Sequence, residues 1–468
     1  MDAIVSSFSK NFKSKITDFL TKYTFALTLY AAMTGFIKRT RKLTAKDTIL
    51  MMIFASFRSK PSSLVDMTGI LKSLNPALDI TPQSLQERIN SPECCEFVKA
   101  ILEEIMYDKI TEKIDFSKHQ PTLLKLFKRV LLEDSSKIEL SDRLQEHFKG
   151  NGGSASKSAL KMNAVYDLAN KKFVHLSEHH GTTSDQTLGT TTLEILQEGD
   201  LLLRDLGYLK VANLKKIEAV HAFFLSRLSG TIAIYLTTKE GTPIPFALLF
   251  KKYSQDGRLD LDVYIGKERH LVRLVAFRVP EEVANKRRRS LHKNAKHQGR
   301  TTATENLLRQ DFAIFITNVD RKTWPAEVIP TIYRIRWQIE LIFKSFKSQL
   351  KIHVIVGENK NRIRTLLYSK WIAVIICQRI YQFVDYYARE VDGKEASFCK
   401  VVNLLLLLDN FMKIVLNGFT NKTMKMFLHS VDRCCCKDKR RKRKSTIQRI
   451  EDSEISYAEN NLTKKLVA

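Results

Sequence analysis

Thr331 to Leu350 reads TIYRIRWQIELIFKSFKSQL. On a helix advancing about 100° per residue, with Tyr333 at zero, Arg336 falls near about 300°, Lys347 near about 320° and Glu340 near about 340°. Ile335, Ile339, Ile342, Phe343, Phe346 and Leu350 occupy the adjoining sector, from about 180° to about 280°. An ordinary surface helix turns its polar residues away from its apolar stripe. Here a phenol, two cations and a carboxylate line the edge of the face that will be buried, at the lip of a core. A solvated i, i+4 salt bridge between Arg336 and Glu340 is the plain alternative.

The 468 residues suffice for two or three domains, and 44% hydrophobic content is that of a globular chain. Lys and Arg number 77 against 50 Asp and Glu, a net charge of +27. Such an excess favours a polyanionic partner, most simply nucleic acid, with strongly salt-dependent binding. The cations are spread along the chain, not gathered on one amphipathic helix, which argues against a membrane-surface protein. Met1 to Lys10 is polar and Lys15 interrupts the next stretch, so no leader is expected. No stretch reaches the roughly 18 uncharged apolar residues of a membrane span. The seven cysteines, Cys94, Cys95, Cys377, Cys399 and Cys434 to Cys436, lack C-x-x-C spacing, which favours a reduced set over a zinc site, even with His429 near the triplet.

Residues 1 to about 118 read as helical. Ser62 to Leu74 carries apolar residues at helical period, Asn75-Pro76 marks a turn, and Thr81-Pro82 opens a helix through Ile89. That pair is compatible with a helix-turn-helix. From about 120 the pattern becomes mixed. Arg129 to Asp134 predicts a strand ending in acid, Ala159 to Asp167 and Lys172 to Ser177 two strands joined at Asn170-Lys171, and Asp200 to Arg204 a strand ending before Asp205. His179-His180 reads as loop, Leu188 to Gln197 as helix and Asp311 to Asn318 as a later strand. Between about 218 and 310, Ala222 to Arg227, Ile232 to Thr237 and Phe246 to Lys251 predict a β-rich insertion. Its far end is basic, from Lys286 to Arg300. Helix resumes after Leu350 to about 430, with a core helix expected over Val401 to Phe419. The stretch 433 to 444, RCCCKDKRRKRK, reads as the start of a mobile basic tail. The fold class is therefore α/β, with its site outside strand ends that carry acids.

Asp134 and Asp205 each follow an apolar strand, and Glu340 sits on the mixed-face helix. Three carboxylates brought together are costly without a cation, and hard oxygen ligands suit Mg²⁺ or Mn²⁺. Two such ions clamp an in-line phosphodiester displacement with no side-chain nucleophile. No G-x-x-x-x-G-K loop appears, so nucleotide hydrolysis is not indicated.

Tyr333, Arg336, Glu340 and Lys347 have the spacing of the signature helix of the DDE transposases of the insertion-sequence-four type. The chain resembles that family over about residues 120 to 380. Asp134-Ser135-Ser136 is similar to the setting of the family's first Asp, and Asp205, Gly207 and Tyr208 to that of the second. The resemblance implies a ribonuclease-H-like core with an antiparallel β insertion, flanked by helical regions. It implies a helical DNA-binding domain over 1–118, a catalytic core over 119–380, a helical region over 381–432 and a basic tail over 433–468. Asp134, Asp205 and Glu340 would bind two Mg²⁺ or Mn²⁺ ions. Tyr333, Arg336 and Lys347 would hold DNA phosphates, and Trp337 would stack on a displaced base or merely pack. The implied activity is cut-and-paste transposition of double-stranded DNA by a homodimer, with no membrane role, in the cytoplasm and on the nucleoid when DNA-bound. A non-catalytic DNA-binding descendant and a structure-specific nuclease are the alternatives.

Overall fold

A computed structural model describes residues 26–38, 43–57, 61–107, 117–237, 241–407, 421–437 and 448–452. Among these, nine strands form one sheet in the order β3-β2-β1-β4-β5-β9-β8-β7-β6. β1 (Arg129–Glu139), β2 (Ala159–Asp167) and β3 (Lys172–His180) form an antiparallel meander. β4 (Asp200–Leu203) and β5 (Phe223–Arg227) then add in parallel on the other side of β1. This order and these directions make the core ribonuclease-H-like, as expected. β9 (Phe312–Thr317) pairs antiparallel with β5 and carries β8 (His270–Arg278), β7 (Arg258–Ile265) and the two-residue β6 (Ile234–Tyr235) beyond it.

Strict alternation divides the core in two. Leu131, Val165, Leu202, Phe224, Leu274 and Ile316 face one side. There they meet α5 (Val211–Ala219) and α6 (Phe246–Tyr253) through Leu214, Ile217, Leu249 and Phe250. Val130, Leu132, Ala164, Leu203, Val275 and Phe315 face the other. This second core takes in Ile339, Phe343 and Phe346 of α8 (Trp337–Gln349) and Trp371 of the 33-residue α9 (Lys360–Asp392). It also includes Leu71 and Phe97 from the N-terminal helices. Those helices are α1 (Ala45–Ser56), α2 (Leu64–Leu74), α3 (Pro82–Ile89) and α4 (Pro92–Tyr107). Thr81 caps α3 with Pro82 at its start, as the sequence predicts, and Ser63 caps α2 through a capping box with Asp66 that the sequence reading did not include.

Several expectations change. β1 does not stop at Asp134 but runs to Glu139, because its outer half still pairs with β2 after β4 has ended. His179 and His180 lie on β3, not in a loop. The helix read at Leu188 to Gln197 starts earlier, at Asp185, and passes into a short 3-10 turn over Thr192–Ile195. The strand at 222–227 is the fifth core strand, parallel to β4, and not part of the insertion. Ile232 to Thr237 contributes only Ile234–Tyr235. Phe246 to Lys251 is helix, not strand: Phe246, Leu249 and Phe250, at helical spacing, are the residues that bury. The hairpin β7–β8 is absent from the expected strands, although Leu259, Leu261, Val263 and Ile265 alternate with polar neighbours. The basic run of the insertion forms helix α7 (Glu281–His297). Of the core helix expected over Val401 to Phe419, Phe398–Leu407 is helical and 408–420 lie outside the described residues. Most of the basic tail does too, although Cys435 is buried and Cys436 bridges to Ala396.

The turn between β2 and β3 is clamped by α9. Lys171 takes a left-handed conformation there, φ 54°, and extends its ammonium to Asp385, which is fully buried. Arg389 Nε donates to the same carboxylate at 2.8 Å, and the Ala396 amide to its other oxygen at 2.8 Å. Gln378 and Gln382 donate to the Lys171 carbonyl. Asp385→Ala takes from the buried Lys171 ammonium its carboxylate and leaves Arg389 only Glu395, 3.3 Å away, and is expected to cost about 3–5 kcal/mol in a urea denaturation series.

Candidate active site

The parallel pairing of β1 with β4 joins Leu132 to Leu203. Two residues beyond these stand Asp134, still within β1, and Asp205, just past the end of β4. β4 ends at Leu203 and the chain turns into a 3-10 turn over Leu206–Tyr208, for which Asp205 is the capping position. Asp134 stays within the β1–β2 ladder opposite Ala164. It is therefore partly buried, while the Asp205 side chain is about half exposed.

The signature segment packs over that face. It is helical throughout, but in three pieces: Ile329–Tyr333, a 3-10 turn over Arg334–Arg336, then α8. Ile335, Ile339, Phe343, Phe346 and Leu350 are buried, as the helical wheel predicts. Arg336 is also buried, at 6% exposure, and Glu340, in the first turn of α8, is exposed. The guanidinium spans two acids from different elements. Its Nη2 lies 2.7 Å from Glu340 Oε1 and its Nε 3.9 Å from Asp205 Oδ1. Burial works against the charge of Arg336, but Asp205, Tyr333 and Glu340 more than offset it and raise its pKa.

Asp134 has no cation so close. Burial pushes its carboxyl up to about 6, and Glu340 and Asp205 push the same way; the Ser135 amide, at 2.9 Å, and Arg336 pull it back. The structure thus brings Asp134, Asp205 and Glu340 within electrostatic reach of one another. Arg336 is the neutralising group between the last two. The donor set is all oxygen and carries surplus negative charge at Asp134, which fits a hard divalent cation. Among the described residues, no three metal-ligating side chains lie close enough to enclose an ion as they stand.

The other signature residues divide. Tyr333 is buried, and its hydroxyl donates to the Arg204 carbonyl at 3.2 Å. Its ring packs on Phe315, with centroids 5.3 Å apart. Trp337 is 62% exposed, which sets aside the expectation that it merely packs. Lys347 is half-buried and makes no ion pair among the described residues. Burial, together with Lys347, Lys351 and Lys370, lowers the pKa of His353 nearby, so this end of α8 has a cationic field.

Sequence reading missed what lies directly behind the two Asp residues. Glu133 and Arg204, their chain neighbours, point through the sheet to its other face and pair there, 2.5 Å apart. The signal was present, since each acid is preceded by a charged residue that alternation must send inward.

The family model described as "Transposase DDE domain" matches residues 125–376, more than half of the chain. The transposase for insertion sequence element IS231E of Bacillus thuringiensis subsp. finitimus is 29% identical over 360 residues, 73% of this chain and 74% of that protein. The transposase for IS1151 of Clostridium perfringens is 26% identical over 447 residues, 90% of this chain and 93% of that one. A cryo-EM structure of the piggyBac transposase synaptic complex with hairpin DNA overlays 91% of this chain and 85% of its own, at a TM-score of 0.39 and 11% identity. With three acids on the elements that a ribonuclease-H-like core provides, and the family model spanning all three, the chain belongs to the DDE transposase family.

Proposed function

We propose that this chain moves its own insertion sequence by cut and paste. It binds the inverted repeats at the two ends, nicks each to free a 3′-hydroxyl, and joins those ends to target DNA. The observation that carries the reading is the Arg336 bridge. It ties the acid at the end of β4 to the acid on α8, beside a third acid that burial keeps short of compensating charge.

Asp134, Asp205 and Glu340 would hold Mg²⁺ or Mn²⁺, and two ions would relieve the repulsion among the three carboxylates. The bound metal would activate water or the 3′-hydroxyl and stabilise the departing oxygen. Arg336 offers a planar fork to phosphate oxygens once its carboxylates turn to the metal, and Lys347 adds a point charge. Tyr333 joins them only by releasing the Arg204 carbonyl, so its contribution in this state is to hold β4 in place. Trp337 stands free beside Glu340 to stack on a displaced base. On α7, Arg287 and Arg288 are tethered to Phe312 and Asp311, which leaves Lys286, Arg289, Lys293 and Lys296 for phosphate contact. The N-terminal region, residues 1–118, reads the repeats, two protomers pair two ends, and the chain works in the cytoplasm, on the nucleoid when DNA-bound. Among the described residues, no helix is long and apolar enough to cross a membrane.

The test is cleavage and joining of labelled DNA from the gene's own flanks. With Mg²⁺ the wild type is expected to nick at a fixed repeat boundary and to form joined products. Glu340→Gln and a no-metal control are expected to bind that DNA and leave it whole. Binding with no cut by wild type would leave the non-catalytic alternative, and cutting without joining the nuclease.

Trp337→Ala removes a side chain that is mostly exposed and is expected to change folding stability by less than about 0.5 kcal/mol. Loss of one stacked base, at about 1.4 kcal/mol, would slow end processing roughly ten-fold. A melting curve beside a single-turnover time course separates the two effects.

A further inference from the structure

Four ladder pairs hold β1 against β4, from Arg129 opposite Asp200 to Leu132 opposite Leu203. Carried on, the same offset sets Glu133 beside Arg204 and Asp134 beside Asp205. The first pair is locked by its side chains: Arg129 Nε lies 2.8 Å from Asp200 Oδ1, and Asp200 is fully buried. The position just past the last ladder pair is held by an ion contact without an aligned hydrogen bond: Arg204 Nε lies 2.5 Å from Glu133 Oε2, and Glu133 is fully buried. Both ion pairs lie on the face opposite the acids, at the two ends of the shared register.

The second lock is built into its surroundings. Glu133 Oε1 accepts from Asn163 Nδ2 at 2.9 Å and from the Thr192 hydroxyl. Asn163 Oδ1 accepts from the Tyr208 hydroxyl at 3.1 Å. Arg204 Nη2 donates to the Gly189 carbonyl at 2.9 Å, and Tyr333 holds the Arg204 carbonyl from the other side. A methyl group on Gly189 would meet Tyr208 at 3.2 Å and Arg204 at 3.3 Å, so the cradle is close-fitting.

We infer that Glu133 and Arg204 are positioning residues, which fix the separation and direction of Asp134 and Asp205 through the backbone and so set the affinity of the site for divalent metal. Each is bonded to one of those acids in the chain. Rotation of either peptide would swing its acid away from the common face. On the β1 side the ladder to β2 also holds Glu133 and Asp134, but β4 ends at the residue before Arg204, so on that side no ladder hydrogen bond does this work. The inference rests on Asp134 and Asp205 as the metal-binding acids of the proposed function.

The test is calorimetric titration of the full chain with Mn²⁺, beside its melting temperature and end cleavage at limiting and saturating metal. The variants are Glu133→Gln, Arg204→Met, the double variant, and Asp134→Asn. Each single variant is expected to lower Mn²⁺ affinity about ten-fold, as loss of an outer support does, with cutting recovered at saturating Mn²⁺. The double variant leaves no charge buried alone, so its melting temperature should return towards wild type while its Mn²⁺ affinity does not. Wild-type Mn²⁺ affinity in the singles, or recovery of affinity together with stability in the double, would reduce the pair to a structural one and overturn the inference. If the singles do not fold, Arg204→Lys, which keeps the charge but loses the fork, is read by the same criteria. Asp134→Asn distinguishes the two levels: undiminished Mn²⁺ binding and cutting in that variant would overturn the assignment of the acids, and this inference with it.

Discussion

The register between β1 and β4 is the constraint on which the rest depends. Only four residue pairs define it, and both strands are buried on both faces, which is why they read as RVLL and DLLL. A slip of one residue would send Asp205 through to the opposite face while Asp134 stayed in place. A slip of two would restore the face but move one acid by about 7 Å along the strand. Leucine would replace leucine in either slip, so the charges at the ends of the run forbid it: Asp200 must meet Arg129, and Arg204 must meet Glu133. The alternation that buries the leucines is the same alternation that presents the acids together.

The second element of the site is placed by apolar packing. α8 rests on the sheet through Ile339, Phe343 and Phe346, and this seating carries Glu340 to the end of β4. Arg336 then answers two needs at once. It balances Asp205 and Glu340 without a metal, and it is itself stabilised in a buried position by them. Asp134, which Arg336 reaches without forming an ion pair, is the acid that a further cation would relieve most.

Much of this could be read in the chain. The apolar runs before Asp134 and Asp205, the turn at Asn170-Lys171 and the wheel of Thr331 to Leu350 rest on local periodicity, and they predict the core strands and the face on which the acids meet. The insertion was less legible. FALLFKKY is an apolar run short enough to suit helix or strand, and its environment, between β7 and Phe312, decides the matter. RLDLDVYI does alternate, but its charges are taken up by tertiary partners: Asp260 pairs with Arg273, and Arg321 with Asp262. The Glu133–Arg204 contact joins residues far apart in the chain, and no local pattern marks it beyond a charge beside an acid.

β5 and β9 lie side by side in the sheet although the whole insertion separates them in sequence. The chain thus leaves the core at one strand and returns at its immediate neighbour. The described residues between them extend the sheet past β9, on the side away from β1 and β4, and meet the core again at α5, where His270 lies 3.3 Å from Glu218. Such a junction works as a graft point: its contents can lengthen, shorten or be exchanged over evolutionary time while the two ends stay put. A change of length in this appendage therefore leaves the four pairs that set β1 against β4 untouched.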